Sequence, residues 1–177
     1  MLKKVLIYGF IAGLIAGGLL SATTIGMGEN APQYGMLLGY TIMLIALSAI
    51  FIGVKRYRDD ELGGVIRFWP AFGMGVAISF IAGILYVSVW EASVAITHLD
   101  FASNYSAMLI EQQKAKGASA AELAKFVAEM EQFKIQYANP WFRLPMVFVE
   151  IFPVGVLVSL ISAGLLRNSR FLAVRRA

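Results

Sequence analysis

The chain has 177 residues, 59% of them hydrophobic, and a mean hydropathy of +0.72, whereas a soluble domain carries about 45–50% apolar residues, so the surplus has to face lipid. Cysteine is absent and His98 is the single histidine, which excludes disulfides, thiol catalysis, thiolate metal sites and any multi-histidine centre, and no cofactor is expected. The formal charge of +4 and the pI near 9.4 reflect basic residues gathered on one side of a membrane, and no nucleic-acid partner is expected.

Four charge-poor runs of about 20 residues can each cross about 30 Å of hydrocarbon at about 1.5 Å per residue. The first runs from about Val5 to Ala22, behind Lys3 and Lys4. The start MLKK, an apolar run and LLSATT also fit a secretory leader. The run exceeds the usual leader core of about 7–15 residues, so retention as a span is expected. Gly9, Gly13 and Gly17 place small residues on one face of this helix. The connection TTIGMGENAPQYG carries no Lys or Arg and leads to the second span, about Gly35 to Val54.

Next comes KRYRDDELGGVIRFWP. Lys55, Arg56, Arg58 and Arg67 are expected to touch anionic lipid headgroups, at roughly 1 kcal/mol each, with Val65, Ile66, Phe68 and Trp69 in the interface. Asp59, Asp60 and Glu61 are adjacent in sequence and point in different directions. Pairing with the neighbouring cations is therefore expected ahead of metal binding. The third span follows, about Ala71 to Trp90, with Gly75, Ser79 and Gly83 as its small-residue stripe.

Residues 91–142 form the one sizeable polar region. No proline occurs from Ala71 to Lys116, and Val94, His98, Phe101, Tyr105, Met108 and Leu109 recur at helical spacing. This pattern predicts that the third span continues outward as one long helix. GAS at Gly117 to Ser119 breaks it, and Ser119 with Glu122 has the form of a capping box. A second amphipathic helix carries Leu123, Phe126, Val127, Met130, Phe133 and Tyr137 on one face, and Asn139-Pro140 ends it. Two arms of similar length predict an extracytoplasmic helical hairpin.

The fourth span, about Pro145 to Leu166, carries Gly155, Ser159 and Ala163 as a third stripe and Glu150 as its only charge. An acid inside a span is by default a functional-site hypothesis. Glu150 either takes up a proton or finds a donor, with Arg143 and His98 the candidates near the same end. Pro153 supplies no N–H to the carbonyl of Val149, leaving an acceptor that a protonated Glu150 can use. A structural, hydrogen-bonded glutamate is the reading preferred over a transport residue, because proton-coupled transport normally uses a relay.

Lys and Arg flank the spans at Lys3, Lys4, Lys55, Arg56, Arg58, Arg67, Arg167, Arg170, Arg175 and Arg176. The positive-inside rule then predicts both termini in the cytoplasm. Tyr34, Tyr57, Trp69, Trp90 and Trp141 fall at span ends, where interfacial rings are favoured. The three stripes predict close contacts inside one bundle in preference to a homo-oligomer seam.

The segments GVKRYRDDELGGVIRFWPAF, GASAAELAKFVAEMEQFKIQYANPWFR and EIFPVGVLVSLISAGLLR resemble, in the same order, the bacterial membrane-protein family known as domain of unknown function 4199. The resemblance implies a small four-span inner-membrane protein and brings no activity, substrate or catalytic residue. It also implies a proline near HLDF in relatives, where this chain has His98 and Leu99. The expected fold is all-α: an integral membrane four-helix bundle with the hairpin at 91–142. No nucleophile–base arrangement, metal cluster or phosphate loop is present. A non-enzymatic scaffold or accessory protein is therefore expected, acting through the hairpin on an envelope partner. The alternative is a small oligomeric proton-linked transporter or channel using Glu150.

Overall fold

A computed structural model describes residues 1–27, 35–98 and 100–173. Within them the chain forms six helices: α1 (Leu2–Met27), α2 (Gly35–Glu61), α3 (Phe68–Thr97), α4 (Phe101–Ala115), α5 (Ala120–Ala138) and α6 (Pro140–Leu166). Four of them, α1, α2, α3 and α6, are long and apolar enough to cross a membrane. Tyr34, Leu99, Arg175 and Arg176 lie outside the described residues. The outer faces of the spans expose apolar side chains, among them Phe10, Leu14, Leu44, Ile45, Leu157 and Ile161. Water would not tolerate such faces and lipid does, so this is a membrane protein.

The small-residue stripes set the packing. A Cβ on Gly9, Gly13 or Gly17 would lie within 2.8 Å of Ile81, Leu85 or Val89 respectively. Both numbers rise together, so α1 and α3 run parallel with their backbones in close approach. Gly75 faces Ser159 and Gly155 faces Ser79. Those numbers run oppositely, so α3 and α6 are antiparallel. Ser79 Oγ and Ser159 Oγ lie 3.2 Å apart, and each also donates to the carbonyl four residues back. With α2 against both α1 and α6, the four spans close a ring. Its centre is filled by Met43, Leu47, Ile50, Met74, Ile78 and Ile151, all fully buried. The stripes are spent inside one chain, as expected.

At the end where α1 begins and α6 stops, α2 runs on to Glu61 and turns at Gly63 and Gly64, whose φ values of 65° and 93° favour glycine. Asp60 accepts from Lys4 at 2.7 Å, and Asp59 pairs with Lys55 and Arg58 at 2.6 Å each. The acids do pair with cations, one of them on α1. Arg58 departs from the headgroup role: it is fully buried and donates to the carbonyls of Phe171 and Leu172 at 2.9 and 3.0 Å. A guanidinium turned inward cannot reach lipid phosphate. Ile66 is likewise in the core, while Arg56, Arg67, Val65 and Trp69 are exposed.

At the opposite end the structure corrects the single long third helix. α3 stops at Thr97, His98 takes the left-handed conformation (φ 53°, ψ 30°), and Asp100 caps a new helix by accepting from Ser103 N–H at 3.1 Å. The physical gain is aromatic packing. The bend brings Phe101 edge-on to Trp90, 5.1 Å between ring centres, and beside Tyr137 at 5.6 Å. α4 and α5 then pack on each other through Tyr105, Phe133 and Tyr137. The Ser119–Glu122 capping box is formed. Asn139 ends α5, and its side chain caps α6, which begins at Pro140.

Candidate functional site

Glu150 stands on α6 between Val147 and Ile151, the residues that face the bundle centre. The helical repeat therefore sets it at the flank of that inward face, near the hairpin end, where its side chain stays exposed. Tyr86 of α3 donates its hydroxyl to Glu150 Oε2 at 3.3 Å. The other carboxylate oxygen takes no protein donor among the described residues.

The two side chains border a cavity of about 380 Å³ to which all six helices contribute. Leu20, Thr23 and Thr24 come from α1, and Gly35, Leu38, Gly39 and Tyr40 from the start of α2. The hairpin supplies Phe101, Tyr105, Met108, Phe133 and Tyr137, while Trp90, Met146 and Val147 complete the wall. Its lining is mainly apolar and aromatic, with a few hydroxyls and one carboxylate. Among the described residues no Lys, Arg or His borders it. Beneath it the buried layer of Met43, Leu47, Ile78 and Ile151 shuts the bundle. The cavity is therefore a cup with a floor, not a pore.

Arg143 and His98, the donors expected near Glu150, are engaged elsewhere. Arg143 makes a two-pronged pair with Glu91 of α3, Nε to Oε1 at 2.7 Å and Nη2 to Oε2 at 2.5 Å. It also donates to the carbonyl of Tyr137 at 3.2 Å and stacks over that ring at 5.6 Å. His98 is exposed and serves as the hinge between α3 and α4. Pro153 lies inside α6, one turn below Glu150. The described contact of the acid is Tyr86.

Trp90 and Tyr137 were not singled out as site residues by sequence, yet they close the cup. Trp90, expected in the lipid interface, is buried and donates Nε1–H to the Tyr137 hydroxyl at 2.9 Å. Burial pushes the Tyr137 phenol up to about 12. Asp100, at the hairpin's root, is held below the usual carboxylate range by its hydrogen bonds with Ser103. The signal that could have revealed the cup is aromatic content: Tyr86, Trp90, Phe101, Tyr105, Phe133 and Tyr137 recur on three consecutive helices, α3, α4 and α5. No group of His, Cys, Asp and Glu able to hold a metal occurs among the described residues.

The model of the family "Protein of unknown function (DUF4199)" matches residues 7–168. The chain belongs to that family, and its molecular function is unknown. No curated protein and no solved structure matches the chain.

Proposed function

We propose that this DUF4199 protein is a non-catalytic accessory protein of a bacterial inner membrane, whose outer hairpin works by roofing a binding cavity over Glu150. One observation carries the reading: a carboxylate with a single hydroxyl donor borders a mainly apolar cavity beneath α4 and α5. Ligand sites in proteins have this character, an apolar wall of about 300–1,000 Å³ with a few convergent polar groups. A purely structural glutamate would be packed against its partner, without an aromatic cup beside it. The hairpin spends its aromatic face on this roof. Along α4 and α5 the one large apolar side chain left exposed is Ile135, so a flat docking surface for an envelope partner has less to recommend it.

Orientation follows from charge. Lys4, Lys55, Arg56, Arg67, Arg167 and Arg170 belong to the end where α1 begins and α6 stops, which the positive-inside rule assigns to the cytoplasm. The hairpin and the cup then face outward. Arg56 and Arg67 remain the headgroup contacts. The stripes that a homo-oligomer could have used are occupied within the chain.

The test uses Trp90 as a reporter on the cavity wall. Trp69→Phe and Trp141→Phe leave Trp90 as the single tryptophan. In lipid nanodiscs, a neutral bromoarene should quench it saturably. Gly39→Leu should abolish saturation, since Gly39 borders the cavity and has room for a Cβ. Linear quenching, unchanged by Gly39→Leu, would contradict the proposal.

A second reading, proton-linked transport through Glu150, draws on the same cavity. The closed layer beneath it opposes that reading. Liposome flux that is abolished by Glu150→Gln would favour transport.

A further inference from the structure

We propose that the cup selects an organic cation: a compact amine or quaternary ammonium on an apolar body, with the ammonium against Glu150 and the body among the rings. This rests on the cavity reading above and adds the chemical class of its occupant.

The argument is one of missing counter-charge. Among the described residues Glu150 is the only charged group on the wall, and its hydrogen-bond partner is the neutral Tyr86. The nearest cation along α6, Arg143, is held by both oxygens of Glu91 and by the Tyr137 carbonyl. Among the described residues no cation on that wall pairs with the carboxylate, so a ligand that brings its own positive charge gains the most there.

The rings point the same way. Tyr40, Tyr86, Trp90 and Tyr137 border the cavity with Phe101 and Phe133. Aromatic faces carry negative charge density and hold ammonium groups without requiring hydrogen bonds, as in the cages that bind quaternary ammonium. An anionic amphiphile would meet Glu150 with no donor cation to receive it. A zwitterionic phospholipid headgroup would place its phosphate in the same position. The volume of about 380 Å³ is at the small end of ligand cavities, which favours a body of one ring or a short chain over two acyl tails.

The test compares para-bromobenzyl(trimethyl)ammonium with its neutral isostere para-bromoneopentylbenzene, both read by quenching of Trp90 in the single-tryptophan protein in phosphatidylcholine nanodiscs. Affinities are referred to the free aqueous concentration after subtracting partition into empty nanodiscs. The ammonium should bind about tenfold more tightly than the isostere. Glu150→Gln should bring the ratio of the two constants toward one, and Glu150→Asp should keep the ammonium preference. Equal binding of both probes to the unaltered site, or a ratio that Glu150→Gln does not change, would overturn the cation assignment while leaving the cavity reading intact. Saturable binding of neither probe would overturn both.

Discussion

Trp90 Nε1 donates a hydrogen bond to the hydroxyl of Tyr137, 2.9 Å away, and ties the hairpin to the third span. Both side chains are buried, so neither partner can turn to water if the other is lost. Tyr137→Phe leaves the indole N–H unsatisfied, at a cost of about 1–3 kcal/mol. Hydrogen exchange across α4 and α5 should accelerate in this variant while the α1–α3 contact stays protected. Uniform protection would mean that the bond does not hold the hairpin.

The same phenol predicts a pH dependence. Its pKa rises from the ordinary value near 10 to about 12 because burial disfavours the phenolate. The folded protein therefore holds this proton more tightly than the unfolded chain does. Its contribution is complete below about pH 10 and is lost as pH rises through about 12. Hairpin protection measured by exchange should persist to pH 10 and fall beyond it, and Tyr137→Phe should lack that step.

Asp100 works at the acid end. Hydrogen bonds with Ser103 lower its carboxyl pKa, so the stability it adds is present above the unfolded value near 3.9 and is lost as pH falls through the lower folded value. Asp100→Ala removes the cap of α4 at a cost of about 0.5–2 kcal/mol. Local exchange in α4 should rise accordingly, and Asp100→Asn should recover most of the protection.

Two glycines of α1 separate contact from propensity. A Cβ on Gly13 would meet Leu85 Cβ at 2.6 Å and the Ala82 carbonyl oxygen at 2.7 Å, whereas Gly18 has nothing within 4 Å. Gly13→Ala should destabilise the bundle by about 1–3 kcal/mol through overpacking, and Gly18→Ala should be neutral or slightly stabilising. Thermal unfolding in a mild detergent measures both. Equal effects would place the α1–α3 contact elsewhere.

The buried Arg58 anchors the segment after α6. Arg58→Met keeps an apolar stem but strips the donors from the Phe171 and Leu172 carbonyls. Each lost charge-assisted bond is worth about 1.5–3 kcal/mol. Trypsin should then cut after Arg167 and Arg170 faster than in the unaltered protein. Unchanged cleavage would mean that Arg58 does not hold this segment.

How much of this was legible beforehand depended on whether the signal was local. Four spans follow from uninterrupted apolar runs, and the Ser119–Glu122 box follows from a four-residue pattern, because both reside in contiguous chain. The α3–α4 bend did not show itself. His98 to Asp100 contain neither glycine nor proline, and the apolar residues continue through them at helical spacing. Phe101 packing on Trp90 and Tyr137 decides that joint, and those contacts join separate helices. Arg143, one of two candidate donors for Glu150, pairs with another acid for a related reason: Glu150 is nearby on its own helix, but Glu91 faces it from the adjacent α3. Arg58 looked like its basic neighbours until the fold turned it inward.

The central claim is that Glu150 borders an accessible cavity rather than a packed interface. The chain has no cysteine, so Glu150→Cys and Ile151→Cys each create a single thiol, the second at a position with 0% exposure. Modification by an ethylammonium methanethiosulfonate in closed nanodiscs should be roughly tenfold or more faster at 150 than at 151, and adding Gly39→Leu should slow it. Equal, slow modification at the two positions would show that no cavity reaches the acid.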